Sequence, residues 1–186
     1  MTSATMTLPG DVAAVWEVHQ SDGIHTIKFE HGTTSGKRVI VVDGEEVCRK
    51  NWMFRLVGVE TFKIGKKTAE IAITSKGIAF EYALSIGGKT LKKFIEAQAR
   101  NTRTWLLEVS GEQHRVVLEI DTMDVYADGE KLDTFGEFTD EGTETHFTVG
   151  SHSAFIRAVS SGNKRKGLVY SLLVADKVLE PVQTGQ

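Results

Sequence analysis

One cysteine and two prolines occur among 186 residues. The single thiol, Cys48, has no internal partner for a disulfide, so the fold must hold without cross-links, as it would in a reducing compartment. With 40% apolar and 25% charged residues, the chain has the composition of an ordered protein rather than a disordered one. No run of eighteen apolar residues occurs, so no membrane-spanning helix is expected. Met1 to Gly10 lacks a basic start and an apolar stretch, which argues against a secretory leader. The formal net charge of −3 has the wrong sign for a general nucleic-acid binder. Motifs of catalysis and metal binding are also missing: there is no Gly-x-Ser-x-Gly elbow, no Cys-x2-Cys and no His-x3-His.

What the chain does contain is a second copy of itself. Trp16, Ile24, His25, Ile27, Phe29 and Glu30 return as Trp105, Gln113, His114, Val116, Leu118 and Glu119, a shift of 89 residues. Asp43-Gly44-Glu45 returns as Asp128-Gly129-Glu130, and Phe62, Ile64, Ala69, Ile71 and Gly77 return as Phe147, Val149, Ala154, Ile156 and Gly162, all shifted by 85. Tyr82, Leu84, Ile86, Lys89 and Leu91 then meet Tyr170, Leu172, Val174, Lys177 and Leu179 at a shift of 88. A shift that changes only where turns change length marks two copies of one fold, each of roughly ninety residues.

Within each copy the period is two. Ala14, Trp16 and Val18 alternate with Val15, Glu17 and His19, and Ala69, Ile71 and Ile73 alternate with Glu70, Ala72 and Thr74. Such alternation buries one face of a strand and wets the other. Asp-Gly pairs supply the positive φ angles of tight hairpins, so Val39 to Val47 and Val125 to Leu132 are expected to be hairpins. The expectation is an all-β protein: two tandem homologous antiparallel β-sandwich domains of seven to eight strands each, with at most a short helix near the linker. The boundaries expected are a disordered N-terminus at 1–11, sandwiches at 12–98 and 105–180, a linker at 99–104 and a disordered tail at 181–186. Leu91 to Arg100 reads either as a short helix or as a last strand entering the linker.

Several motifs invite a functional reading. Ala83 to Thr90 satisfies a permissive phosphate-loop pattern, in which backbone N–H groups and a lysine, here Lys89, surround a phosphate. Against it, Tyr82, Leu84 and Ile86 carry a strand through the supposed loop, so a two-glycine hairpin explains the same residues. His19, His25 and His31 are spaced by six, as are His146 and His152, but His25 and His114 are repeat equivalents and suit structural roles better than a metal site. Arg49 and Lys50 would lower the pKa of Cys48 if they stood close to it. Asp140, Glu141 and Glu144 read as a solvated turn. No catalytic residue, cofactor site or metal ligand is assigned. Function is expected where the copies differ: at Trp52, Met53 and Phe54, whose equivalents are Glu137, Phe138 and Thr139, and at the lengthened basic turn of Lys164, Arg165 and Lys166.

Four segments then give the chain a family. Phe29-Glu30-His31-Gly32-Thr33-Thr34-Ser35-Gly36-Lys37-Arg38, Trp52 to Gly58, Gly142 to Phe147 and Ala158 to Gly162 together resemble the Fas apoptotic inhibitory molecule family, over about Val12 to Glu180. The resemblance implies a cytoplasmic, non-enzymatic all-β protein that antagonises death-receptor-triggered apoptosis through protein–protein binding. It also implies links to NF-κB signalling and protection against stress-induced aggregation. Expected partners are signalling proteins of the death-receptor or NF-κB pathways and misfolded or ubiquitinated clients, with no nucleic acid or membrane span, and with room for a homodimer. The family carries no established catalytic residues, so none is transferred. The rival expectation is a nucleotide-binding switch or enzyme using Ala83 to Thr90.

Overall fold

The computed structural model describes residues 12–163, 167–175 and 177–182. The expectations for 1–11 and 183–186, and for the side chains of Lys164, Arg165 and Lys166, lie outside the described residues. The chain divides into two compact units, one ending at Gln98 and the other continuing from Ala99, with Ser21–Gly23 grouped with the second.

In the first unit, β1 (Val12–Gln20), β2 (Gly23–His31), β3 (Arg38–Val42) and β4 (Glu45–Lys50) form one four-stranded sheet in that order. β5 (Gly58–Ile64), β6 (Lys67–Lys76), β7 (Ala79–Ile86) and the short β8 (Lys89–Thr90) form the other. The alternation read from the sequence decides which side chains go inward. On β6, Ala69, Ile71 and Ile73 are buried while Glu70 and Thr74 are exposed. One core cluster draws Val18, Ile27, Phe29 and Ile40 from the first sheet and Phe62, Ile64, Ile71, Leu84 and Ile86 from the second, so the two sheets pack face to face. Full burial of each such side chain contributes about 1.5–3 kcal/mol.

The second unit repeats the plan. β9 (Thr102–Val109), β10 (Glu112–Glu119), β11 (Asp124–Ala127) and β12 (Glu130–Lys131) form a four-stranded sheet, and β13 (Phe135–Thr139), β14 (Gly142–Val149), β15 (His152–Ser160), β16 (Leu168–Val174) and β17 (Lys177–Leu179) form a five-stranded one. Trp105, Val116, Leu118, Ile156 and Leu172 lie at the centre of its core, each at most 1% exposed. The indole N–H of Trp105 donates to the Leu179 carbonyl at 3.0 Å, which meets the polar need of an otherwise apolar ring.

Among the described residues the copies carry eight and nine strands, against the seven to eight expected of each. Helix α1 (Leu91–Asn101) follows β8 directly, and its Phe94 is buried in the first core. Residues 99–104, expected as a linker, are the end of α1 and the start of β9. Val182 donates its backbone N–H to the Thr104 carbonyl at 2.7 Å, so backbone pairing extends two residues past Glu180, into the expected tail.

Candidate functional site

The duplicated parts of the two copies are alike in fine detail. Asp43 and Gly44 have φ of 53° and 88°, and Asp128 and Gly129 have 52° and 93°, the left-handed pair that a tight two-residue hairpin requires. In the first copy the Asp43 carboxylate meets His25 Nδ1 at 2.7 Å and accepts the Thr26 backbone N–H at 2.8 Å. In the second, Asp128 meets His114 Nδ1 at 2.7 Å and accepts the Arg115 N–H at 2.8 Å. Burial acts to raise the pKa of each aspartate, but the bonds from histidine and backbone outweigh it and hold both carboxyls below their usual range. These histidines brace hairpins.

The copies part between β4 and β5. Where the second copy folds β13 against β14, the first has an irregular loop, 51–57. Trp52 is 59% exposed and Phe54 90%, and their rings meet edge to face at 4.2 Å. Met53 sits between them, half-buried. The two exposed aromatic rings in contact form an apolar projection.

The loop is held from beneath. The Met53 N–H donates to the Ser35 carbonyl at 3.0 Å. Gly36, at φ +69°, passes so close that a Cβ there would lie 2.5 Å from the Met53 carbonyl oxygen, which leaves glycine as the residue that fits. Arg38 is 2% exposed, and from β3 its guanidinium donates to the carbonyls of Arg55 at 2.7 Å and Val57 at 3.0 Å. Its other terminal nitrogen, Nη1, donates to Glu60 Oε1 at 2.6 Å, while Lys50 reaches Glu60 Oε2 at 2.6 Å. Burial works to raise the pKa of Glu60, yet the bonds and charges of Lys50 and Arg38 prevail and hold the carboxyl below its usual range. A buried guanidinium thus fixes the far end of the aromatic loop. Next to it, His31 is 4% exposed, with Nδ1 2.9 Å from the Tyr82 hydroxyl and the ring edge-on to Phe80 at 4.8 Å. Burial and the nearby Arg38 charge push its pKa down against an opposing backbone bond at Leu56.

The other sequence candidates settle differently. Ala83–Ile86 completes β7, antiparallel to both β6 and β8, and Gly87 and Gly88 form a left-handed two-residue turn whose first N–H is taken by the Thr68 carbonyl. A phosphate cradle between a parallel strand and a helix is not what these residues build. Burial and Glu60 push the Cys48 thiol pKa up, over the opposing effect of Lys50 and Arg38, so this thiol is not activated. Glu144 is not in a solvated turn: it lies in β14, its side chain 12% exposed, bonded to Arg157 Nε at 2.9 Å.

Arg38 and Glu60 are the positioning residues that the sequence reading missed. A lone arginine opening an apolar run, Arg38-Val39-Ile40-Val41-Val42, and a glutamate at an inward position of β5 were the available signals. Among the described residues, no helix is long and apolar enough to cross a membrane.

A family model described as Fas apoptotic inhibitory molecule (FAIM1) matches residues 12–182. Fas apoptotic inhibitory molecule 1 of Homo sapiens is 53% identical over 175 residues, covering 92% of this chain and 98% of the relative. The Bos taurus protein of that name is 54% identical over 175 residues, covering 92% and 87%. The Mus musculus one is 55% identical over 170 residues, covering 90% and 95%. With nearly every described residue matched at this identity, the chain belongs to the Fas apoptotic inhibitory molecule family.

Proposed function

We propose that this protein is a non-enzymatic cytoplasmic regulator that restrains death-receptor-triggered apoptosis by binding signalling proteins, with the Trp52–Phe54 loop as its principal contact. The single observation that carries the site is the exposed aromatic pair, held in place by the buried Arg38. A fixed aromatic projection loses little conformational entropy on binding, which is what makes such residues effective anchors. The basic turn of Lys164, Arg165 and Lys166 is the second proposed contact, suited to an acidic surface.

The same surface suits misfolded or ubiquitinated clients. β5 is an edge strand of its sheet, and the corresponding strand of the second copy, β14, is covered by β13. An extended client segment that adds to β5, as β13 adds to β14, gains main-chain hydrogen bonds there and apolar contact with the aromatic loop. That provides the physical basis for protection against aggregation.

The test is a Trp52→Ala/Phe54→Ala double variant of the full chain, beside a second variant with Lys164, Arg165 and Lys166 changed to alanine. Loss of protection against Fas-ligand-induced death, and of suppression of client aggregation measured by light scattering, is expected for the aromatic variant, with its melting temperature retained. Full activity in both variants refutes the assignment.

A further inference from the structure

The second copy carries, on the face of its five-stranded sheet turned away from the core, a group that the first copy lacks. Glu137 on β13 and Glu144 on β14 are direct cross-strand partners, and His146 follows two residues on, so period two brings all three to one face. One donor atom from each lies within 4.8 Å of the others. His146 Nε2 stands 3.3 Å from Glu144 Oε2 and 3.6 Å from Glu137 Oε2. It is a buried nitrogen with no hydrogen-bond partner. At the equivalent positions the first copy has Trp52, Val59 and Thr61, none of them a metal ligand.

Those distances are informative. A histidinium donating to a carboxylate closes to about 2.7–2.9 Å. A tetrahedral zinc ion with bonds of about 2.0–2.1 Å sets its ligand atoms roughly 3.3–3.4 Å apart. The two histidine–carboxylate separations lie around the second value, and with all three donor atoms within 4.8 Å of one another, rotation of the exposed Glu137 side chain closes the set around one ion. The ligands are also held as metal ligands usually are. The His146 ring lies between Phe135, at 4.7 Å and nearly parallel, and Phe155, at 5.0 Å, which fixes its plane. Arg157 grips Glu144 Oε1 through Nε at 2.9 Å and Nη2 at 2.8 Å, leaving Oε2 to face His146. A cation that orients the far oxygen of a ligating carboxylate is an outer-shell support.

We propose that Glu137, Glu144 and His146 bind a divalent transition-metal ion of the zinc type, with Arg157 as the positioning residue and an open fourth position for water. One imidazole with two carboxylates suits zinc better than magnesium or calcium, which prefer all-oxygen sites. Three protein ligands leave zinc short of its usual four. The site is independent of the aromatic loop, so either proposal can fail alone.

The experiment is isothermal titration of the full-length protein with zinc chloride, paired with thermal unfolding with and without the metal. Wild type is expected to show one saturable site and a zinc-dependent rise in melting temperature. His146→Ala and Glu144→Gln lose both, and Arg157→Gln weakens binding about 10- to 100-fold. Each variant's melting temperature without zinc is its own baseline, so loss of the zinc-dependent rise, rather than a lowered baseline, reports lost ligation. Cobalt substitution adds a signature: visible absorption bands of a tetrahedral ion, absent in His146→Ala. No saturable heat in wild type, or undiminished affinity in His146→Ala, overturns the proposal.

Discussion

Arg38 is the residue whose removal tests the most physics. Arg38→Met keeps length and apolar stem but deletes a guanidinium that is bonded to Glu60 Oε1 at 2.6 Å and to two loop carbonyls. Breaking a buried ion pair by removing one partner costs about 3–5 kcal/mol, because the other charge stays desolvated. Lys50 still reaches Glu60 Oε2, and its side chain is 42% exposed, which places the cost near the lower end, at about 3 kcal/mol. For a unit of this size that is a fall in melting temperature of roughly 12–24 °C. Glu60→Gln should cost a comparable amount by stranding Arg38. The double variant should cost less than the sum by about 2 kcal/mol, since no charge is then left alone. Urea unfolding followed by tryptophan fluorescence measures all three. Trp105 lies in the other unit and serves as an internal control. A cost below about 1 kcal/mol for Arg38→Met, or additive single effects, refutes the reasoning. Acid gives an independent check. The folded pKa of Glu60 lies below its unfolded value, so its contribution is full above about pH 4.3 and is lost as the pH falls through the folded value. Glu60→Gln should flatten that part of the stability profile.

The two hairpin clasps should respond as twins: Asp43→Ala and Asp128→Ala each lose a histidine bond and place alanine at positive φ, costing about 2 kcal/mol by chemical denaturation and agreeing within about 0.5 kcal/mol. Because the folded pKa of His31 is lowered, its contribution is full above the unfolded value of about 6.5 and declines as the pH falls from there toward the folded value. His31→Phe should remove that part of the pH dependence, which thermal melts between pH 7.5 and 5 will show. Phe54→Ala, at a side chain 90% exposed, should change stability by less than about 0.5 kcal/mol while weakening partner capture in quantitative pull-downs.

The strand faces were legible because a β-sandwich writes its core as alternation, and Ala69-Glu70-Ile71-Ala72-Ile73 needs no partner to be read. The hairpins were legible because only a few residues tolerate left-handed φ, and Asp-Gly is the commonest pair that does. The start of α1 was ambiguous for a physical reason: Lys89 and Leu91 match Lys177 and Leu179, yet the next residues place Phe94 three positions from Leu91, and burial of that ring in the first core favours a helical path. That the copies differ at Trp52-Met53-Phe54 and Glu137-Phe138-Thr139 was legible, but not that one becomes a loop and the other strand β13, because both are plausible strand sequences. Pairing with β14 decides one, and the hold of Arg38 and Gly36 decides the other. The Arg38–Glu60 pair is 22 positions apart, and Glu137, Glu144 and His146 straddle a turn. Such juxtapositions depend on register, which spacing rules drawn from helical motifs do not encode.

The sequential order of strands has a consequence for how a duplicated chain avoids confusing its halves. Every neighbouring pair of strands in the four sheets is consecutive along the chain. The near-identical hairpins at Asp43 and Asp128 offer each other competent pairing surfaces during folding, and tandem repeats are prone to such cross-pairing. Closing the 85 residues between them costs roughly 3 kcal/mol more loop entropy than closing either two-residue turn. Local strand pairing therefore wins the race before the copies meet, and the short reach of each hairpin acts as the safeguard that sequence divergence alone would otherwise have to supply.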